Sequence, residues 1–167
     1  MKRNLRLATK EEIDMATKFI NEARAYQNEQ GFVQWTDAYP NRDTVCDDVK
    51  QKIGYMFTED GKPVGYMGIS FSGEPAYDQI EGAWKTGKPY AVVHRLALGK
   101  EGRNKGVSKD IFSLIKKLCI VNNIHAIRVD TDDANKLMQH VLQREGFQYC
   151  GTISFAGGPK MAYELDF

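Results

Sequence analysis

The segment Gly99-Lys-Glu-Gly-Arg103-Asn104-Lys105-Gly106-Val107-Ser108 lies between an apolar run and an amphipathic stretch. A helix beginning there presents free backbone N–H groups and the positive end of its dipole. A glycine at that point lets an anion approach the backbone, since no Cβ blocks it. Arg103 and Lys105 add full charges beside those donors, completing the parts of a phosphate cradle. Basic side chains at a helix start otherwise oppose the dipole, a conflict that an anionic ligand resolves. The alternatives are an ordinary solvated loop of basic composition, or a cradle for a nucleotide or other phosphate. Neither G-x-x-x-x-G-K-[ST] nor G-x-G-x-x-G can be read in it.

His94 lies just ahead of this segment, inside the apolar run, and an imidazole with an ordinary pKa of ~6.5 suits proton transfer near neutrality. An inert, hydrogen-bonded core histidine is the alternative. His125 reads as a loop residue and His140 as the polar side of a helix. No H-E-x-x-H or other ligand spacing points to a metal. Cys46, Cys119 and Cys150 are odd in number, widely spaced and without a C-x-x-C pair, which favours a reducing, cytoplasmic setting over a secreted disulfide scaffold. Cys150 lacks the electropositive context a nucleophilic thiol needs. Tyr149 and Tyr163 are candidate acids or structural rings.

These residues must be held by elements whose periodicity is readable. A short strand at Asn4–Leu7 leads to a T-x-x-E capping box at Thr9 and Glu12. Ile13, Ala16, Ile20 and Ala23 then recur at helical spacing, predicting a helix to about Glu29 that stops at Gly31. Phe32–Arg42 is an aromatic, non-periodic loop containing Trp35, Tyr39 and Pro40. Val45, Val49 and Ile53 mark a second helix, with Gly54 as its expected terminator. Tyr55–Thr58 and Val64–Phe71 read as a hairpin. Ser72–Lys88 is irregular, with a short helix expected near Tyr77–Trp84. Tyr90–Leu98 is the most apolar strand, followed by a helix through Val107, Ile111, Leu114, Ile115 and Leu118. A strand at Ala126–Asp130, a helix with Leu137, Met138, Val141 and Leu142 inward, and a closing hairpin from Phe147 to Phe167 complete the chain. The order β-α-α-β-β-β-α-β-α-β-β predicts one α/β domain over residues 1–167: a mixed, mostly antiparallel, twisted sheet flanked by helices. The β-α-β unit from Tyr90 to Asp130 is its expected parallel crossover.

Composition agrees with an ordered globular chain. Of 167 residues, 42% are hydrophobic and 27% charged, which excludes disorder as the main state. With 23 basic against 22 acidic side chains, the net charge of +1 argues against a general nucleic-acid binder. No signal peptide or membrane span is visible, so a cytoplasmic location is expected.

The segment Arg103-Asn104-Lys105-Gly106-Val107-Ser108 resembles the R/Q-x-x-G-x-G/A signature of the GNAT superfamily of N-acetyltransferases, with Ser108 at the last position. Ala91–Leu98 resembles that superfamily's fourth strand. Asp130–Asn135, the helix after it and Gly146-Phe147 resemble its fifth strand, following helix and closing G-F, and Leu5–Ile20 its first strand and helix. The resemblance implies acetyl-CoA as cosubstrate and direct transfer of its acetyl group to a primary amine of a small molecule or peptide, without a metal. By position, Leu96, Ala97 and Leu98 would meet the pantetheine arm, and Arg103, Asn104, Lys105, Gly106, Val107 and Ser108 the pyrophosphate. Asn135 would also contact the coenzyme. His94 becomes the candidate base. The aromatic loop would wall the acceptor cleft, with Trp35 and Tyr39, beside Phe32 and Asp37, holding a cationic amine. Many members carry a general-acid Tyr where this chain has Leu142, which keeps open a non-catalytic acyl-CoA-binding or sensory module. The expected partners are acetyl-CoA and an amine acceptor, with a homodimer left open, and no nucleic acid or membrane.

Overall fold

A computed structural model of the chain describes residues 1–103 and 106–167. Contacts divide them into two compact units, each assembled from two stretches: Met1–Ile69 with His94–Leu114, and Ser70–Val93 with Ile115–Phe167. The α/β architecture expected from the sequence is present: the strand pairs among Arg3–Leu7, Gly54–Glu59 and Lys62–Ser70 of the first unit are antiparallel, and the second unit joins antiparallel pairs to one parallel pair.

In the first unit, β1 (Arg3–Leu7), β2 (Gly54–Glu59), β3 (Lys62–Ser70) and the end of β5 (Ala91–Leu98) lie in the order β1-β2-β3-β5. The T-x-x-E box forms: Glu12 accepts the Thr9 backbone N–H at 3.0 Å and opens a 3-10 turn, Lys10–Glu12, that runs into α1 (Ile13–Glu29). Two bonds of 2.8 Å from Arg6 hold the Glu12 carboxyl down at about 2. Asn41 caps α2 (Arg42–Lys50) by accepting from the Thr44 N–H at 3.2 Å. That helix ends sooner than expected. Lys52 takes the left-handed conformation, φ 60°, and the Ile53 N–H returns to the Asp48 carbonyl at 2.9 Å, so the chain has already turned when Gly54 opens β2. Ala16, Phe19 and Ile20 of α1 pack with Val45, Met56, Tyr66 and Ala97 as the core of this unit. Each large apolar side chain buried there contributes about 1.5–3 kcal/mol.

In the second unit the order is β5-β6-β8-β7-β4, with β4 at Glu81–Gly82, β6 at Ala126–Thr131, β7 at Gln148–Phe155 and β8 at Gly158–Asp166. The expected parallel pairing is found between β5 and β6, as Ala91↔Ile127 and Val92↔Arg128. The end of α3 (Ser108–Val121) and α4 (Lys136–Arg144) belong here, and Tyr77, Val92, Ile153 and Ala162 form a core cluster. One expectation here needs correction. A helix near Tyr77–Trp84 is replaced by a 3-10 turn, Pro75–Gln79, and the two-residue β4. The segment beyond stays irregular because its donors have a better partner: the buried Glu164 carboxylate accepts the N–H groups of Lys85 and Thr86 at 2.6 and 2.9 Å. Arg128 donates to Glu164 at 2.9 Å and to the Thr86 carbonyl at 2.9 Å, with the rings of Trp84 and Tyr90 4.3 and 4.0 Å from its guanidinium. Lys160 and Glu164 of β8 are both buried. Among the described residues no helix is long and apolar enough to cross a membrane.

Candidate active site

The coenzyme-binding candidates of the first unit follow one another along its chain. Leu96, Ala97 and Leu98 end β5; the Gly99 N–H then donates to the Val64 carbonyl of β3 at 2.9 Å, and the Gly102 N–H to the Gly99 carbonyl at 3.0 Å, closing a tight turn. Asn104 and Lys105 lie outside the described residues. Gly106 is exposed at φ 62°, with open space where a Cβ would stand. Val107 is buried and its carbonyl accepts the Ile111 N–H at 2.9 Å, so it anchors the first turn of the helix that Ser108 begins. The Arg103 guanidinium lies 4.4 Å from the centre of the Tyr26 ring and donates weakly, at 3.4 Å, to the Glu22 carbonyl. Its buried Nε has no hydrogen-bond partner among the described residues. A left-handed glycine with no atoms over it, a helix start and an unsatisfied buried guanidinium nitrogen fit an anion better than they fit an empty loop.

Strand β5 carries His94 and Arg95 side by side. Burial, assisted by the adjacent Arg95 charge, pushes the His94 imidazole down to about 3. Arg95 stands at φ 56° inside the strand, a left-handed conformation that costs a non-glycine residue about 1–2 kcal/mol. A buried network holds it there. Arg95 donates through Nη2 and Nε to the two Asp48 oxygens at 2.6 and 3.0 Å, and through Nη1 to the Tyr39 hydroxyl at 2.9 Å. The Tyr66 hydroxyl adds a third bond to Asp48 at 2.5 Å, and its own pKa is driven well up by burial and the Asp48 charge. The side chains of Arg95 and Asp48 are 9% and 5% exposed, so this ion pair is not a screened surface contact.

The two acceptor candidates separate. Trp35 joins Phe32, Val33 and Asp37 along a cleft of about 670 Å³ beside Arg24 and Asn28, and packs against the core cluster. Tyr39 does not line that cleft; its hydroxyl is engaged by Arg95. In the second unit, Asn135 caps α4, its Oδ1 accepting the Met138 N–H at 3.1 Å, and Leu142 is 1% exposed. Tyr149 and Tyr163 stack edge-on at 5.7 Å, Tyr163 buried and Tyr149 half-exposed. Burial raises the thiols of Cys119, to about 11, and Cys150, which makes both poor nucleophiles. Among the described residues no cluster of three His, Cys, Asp or Glu side chains gathers for a metal.

Sequence reasoning missed Asp48 and Arg95. Their one signal was a charge inside the apolar run Ala91–Leu98; its partner lies 47 positions away.

Comparison with curated proteins gives no match. The profile described as the acetyltransferase (GNAT) family matches residues 20–147, more than half of the chain. A crystal structure of a GNAT-family acetyltransferase from Streptococcus agalactiae 2603 is 32% identical, with a TM-score of 0.87 over 99% of this chain and 95% of that one. A GNAT-family acetyltransferase from Listeria monocytogenes 4b F2365 is 19% identical, with a TM-score of 0.76 over 99% and 95%. The aminoglycoside acetyltransferase AAC(6')-Ib, solved in complex with coenzyme A, is 19% identical with a TM-score of 0.71 over 99% and 95%. The last two show likeness of fold alone. With the profile match and a relative of this identity and coverage, the chain belongs to the GNAT acetyltransferase family.

Proposed function

We propose that the chain is an acetyl-CoA-dependent N-acetyltransferase acting on a primary amine of a small molecule or peptide. The observation that carries this reading is the turn into α3, where Gly106 leaves an open, left-handed approach to the backbone ahead of a helix start. Arg103 and the backbone from Gly106 to Ser108 would hold the diphosphate, with Asn104 and Lys105 completing the segment. Leu96 to Leu98 would align the pantetheine arm along β5. Acetyl-CoA, when bound, supplies an activated thioester whose thiolate leaves readily. Neighbours on this fold include AAC(6')-Ib with coenzyme A and kanamycin, an amine-bearing acceptor, which supports an amine as the acceptor class.

His94 is present as the neutral imidazole, its proton-accepting form, throughout the physiological range. A base this weak contributes less than a well-matched one, because proton-transfer catalysis is best when the pKa lies near the working pH. His94→Gln is therefore expected to lower kcat by only about tenfold, below the roughly hundredfold that a well-matched general base supplies at the least. On the acceptor side, Trp35 with Phe32 offers aromatic faces and Asp37 a carboxylate to a cationic amine.

The test is release of free thiol from acetyl-CoA in the presence of a broad panel of amines. Steady release with one or more acceptors is expected; tight coenzyme binding with no turnover on any amine would instead establish the second reading, a non-catalytic acyl-CoA-binding module. That reading is favoured by one observation, the buried Leu142 at the position where the family resemblance implies an acid Tyr. Calorimetry with coenzyme A against ATP distinguishes both from a nucleotide binder, with ATP expected to bind weakly or not at all.

A further inference from the structure

From strand β5, the Arg95 side chain hydrogen-bonds both helix α2 and the aromatic loop. Its fork is made on Asp48 of α2, while its remaining nitrogen, Nη1, holds the Tyr39 hydroxyl of the loop. The surrounding sheet is shaped to admit it. Gly54 and Gly68 face each other across the β2–β3 pair, and a Cβ on Gly68 would stand 2.9 Å from Arg95 Nη2, one on Gly54 2.9 Å from the Tyr66 hydroxyl. The same residue carries the left-handed kink immediately before Leu96, Ala97 and Leu98. A planar, five-donor guanidinium engaged on both sides cannot rotate without breaking one of those sets, which an ammonium in its place could.

From this placement we infer that Arg95 is a positioning residue, which registers the acceptor loop against the part of β5 expected to align the coenzyme. The inference rests on the coenzyme reading of β5 given above. Restraining the backbone at 96–98 restrains the kink at Arg95, and the guanidinium passes that restraint to Tyr39 and the loop 32–41. Acceptor and thioester thereby share one reference point, and loading of the coenzyme orders the wall against which the amine must sit.

The experiment is amide hydrogen exchange of residues 32–41 with and without coenzyme A, in the wild-type chain, Tyr39→Phe and Arg95→Lys, alongside calorimetry with coenzyme A and a thermal melt of each. Coenzyme A is expected to slow exchange of the wild-type loop by about tenfold. In Tyr39→Phe the loop response disappears while coenzyme A affinity stays within about twofold of wild type. Arg95→Lys loses the response too, since one ammonium cannot hold Asp48 and Tyr39 together. Equal protection of the loop in wild type and Tyr39→Phe, or a response retained by Arg95→Lys, overturns the inference. So does binding of coenzyme A to the wild type with no change in the loop, an outcome that leaves the acetyltransferase reading standing. A Tyr39→Phe chain that melts far below wild type shows a bond that merely stabilises, which also overturns it. Failure of the wild type to bind coenzyme A removes the acetyltransferase reading and this inference with it.

Discussion

An imidazole held near 3 beside a guanidinium is a group that folding keeps uncharged. The unfolded chain returns it to its ordinary value of ~6.5, so between the two pH values the unfolded state binds more protons than the native one. The sign follows: the contribution of His94 to stability is fully present above about 6.5 and is lost as the pH falls toward 3. Thermal melts of wild type and His94→Gln from pH 7 to 4.5 should show the shallower acid decline in the variant; parallel curves would mean that the imidazole is solvated. Gly106 supports a different prediction. Gly106→Val puts a β-branched side chain at φ 62°, which costs about 1–2 kcal/mol, a few degrees in Tm. The same side chain occupies the open space over the turn, so coenzyme A affinity measured by calorimetry should fall by more than about tenfold. At this scale the turn into α3 was legible, because the glycine and the helix start that follows it are adjacent in sequence. The network of Asp48, Tyr66, Arg95 and Tyr39 was not: it is assembled by pairing β2 with β3 and by the turn after α2, and no local pattern announces it.

Elements whose identity is set by periodicity were legible. The capping box at Thr9 and Glu12 and the i, i+3, i+4 apolar face of α1 place that helix correctly, since each signal is local. The segment before β5 reads as irregular and is so; what the sequence does not announce is its holder, Glu164, on a strand about 80 residues later. That carboxylate gives a prediction of its own. Glu164→Gln removes the charge facing Arg128 and weakens the acceptor of two backbone N–H groups, in a site where Glu164 is 1% exposed. Breaking one side of a buried pair of this kind costs about 3–5 kcal/mol, which urea unfolding should read as a lower midpoint with little change in slope. A loss below about 1 kcal/mol would mean that the pair is solvent-screened.

Across the molecule, a net charge of +1 leaves binding to be decided by local donors rather than by long-range attraction. Both compact units are discontinuous in sequence, each completed by a stretch that follows part of the other. A fragment containing residues 1–93 lacks His94–Leu114, and with it Ala97 and Arg95, the ion-pair partner of Asp48. Such a fragment is expected to give a collapsed amide spectrum, whereas one ending at Leu114 regains dispersion for the first unit; a well-dispersed 1–93 fragment would contradict the division. On the ribosome this discontinuity sets a schedule. The segment that closes the first unit leaves the exit tunnel only once translation has run past Leu114, so for that interval the nascent chain holds an unfinished hydrophobic surface that chaperones can reach.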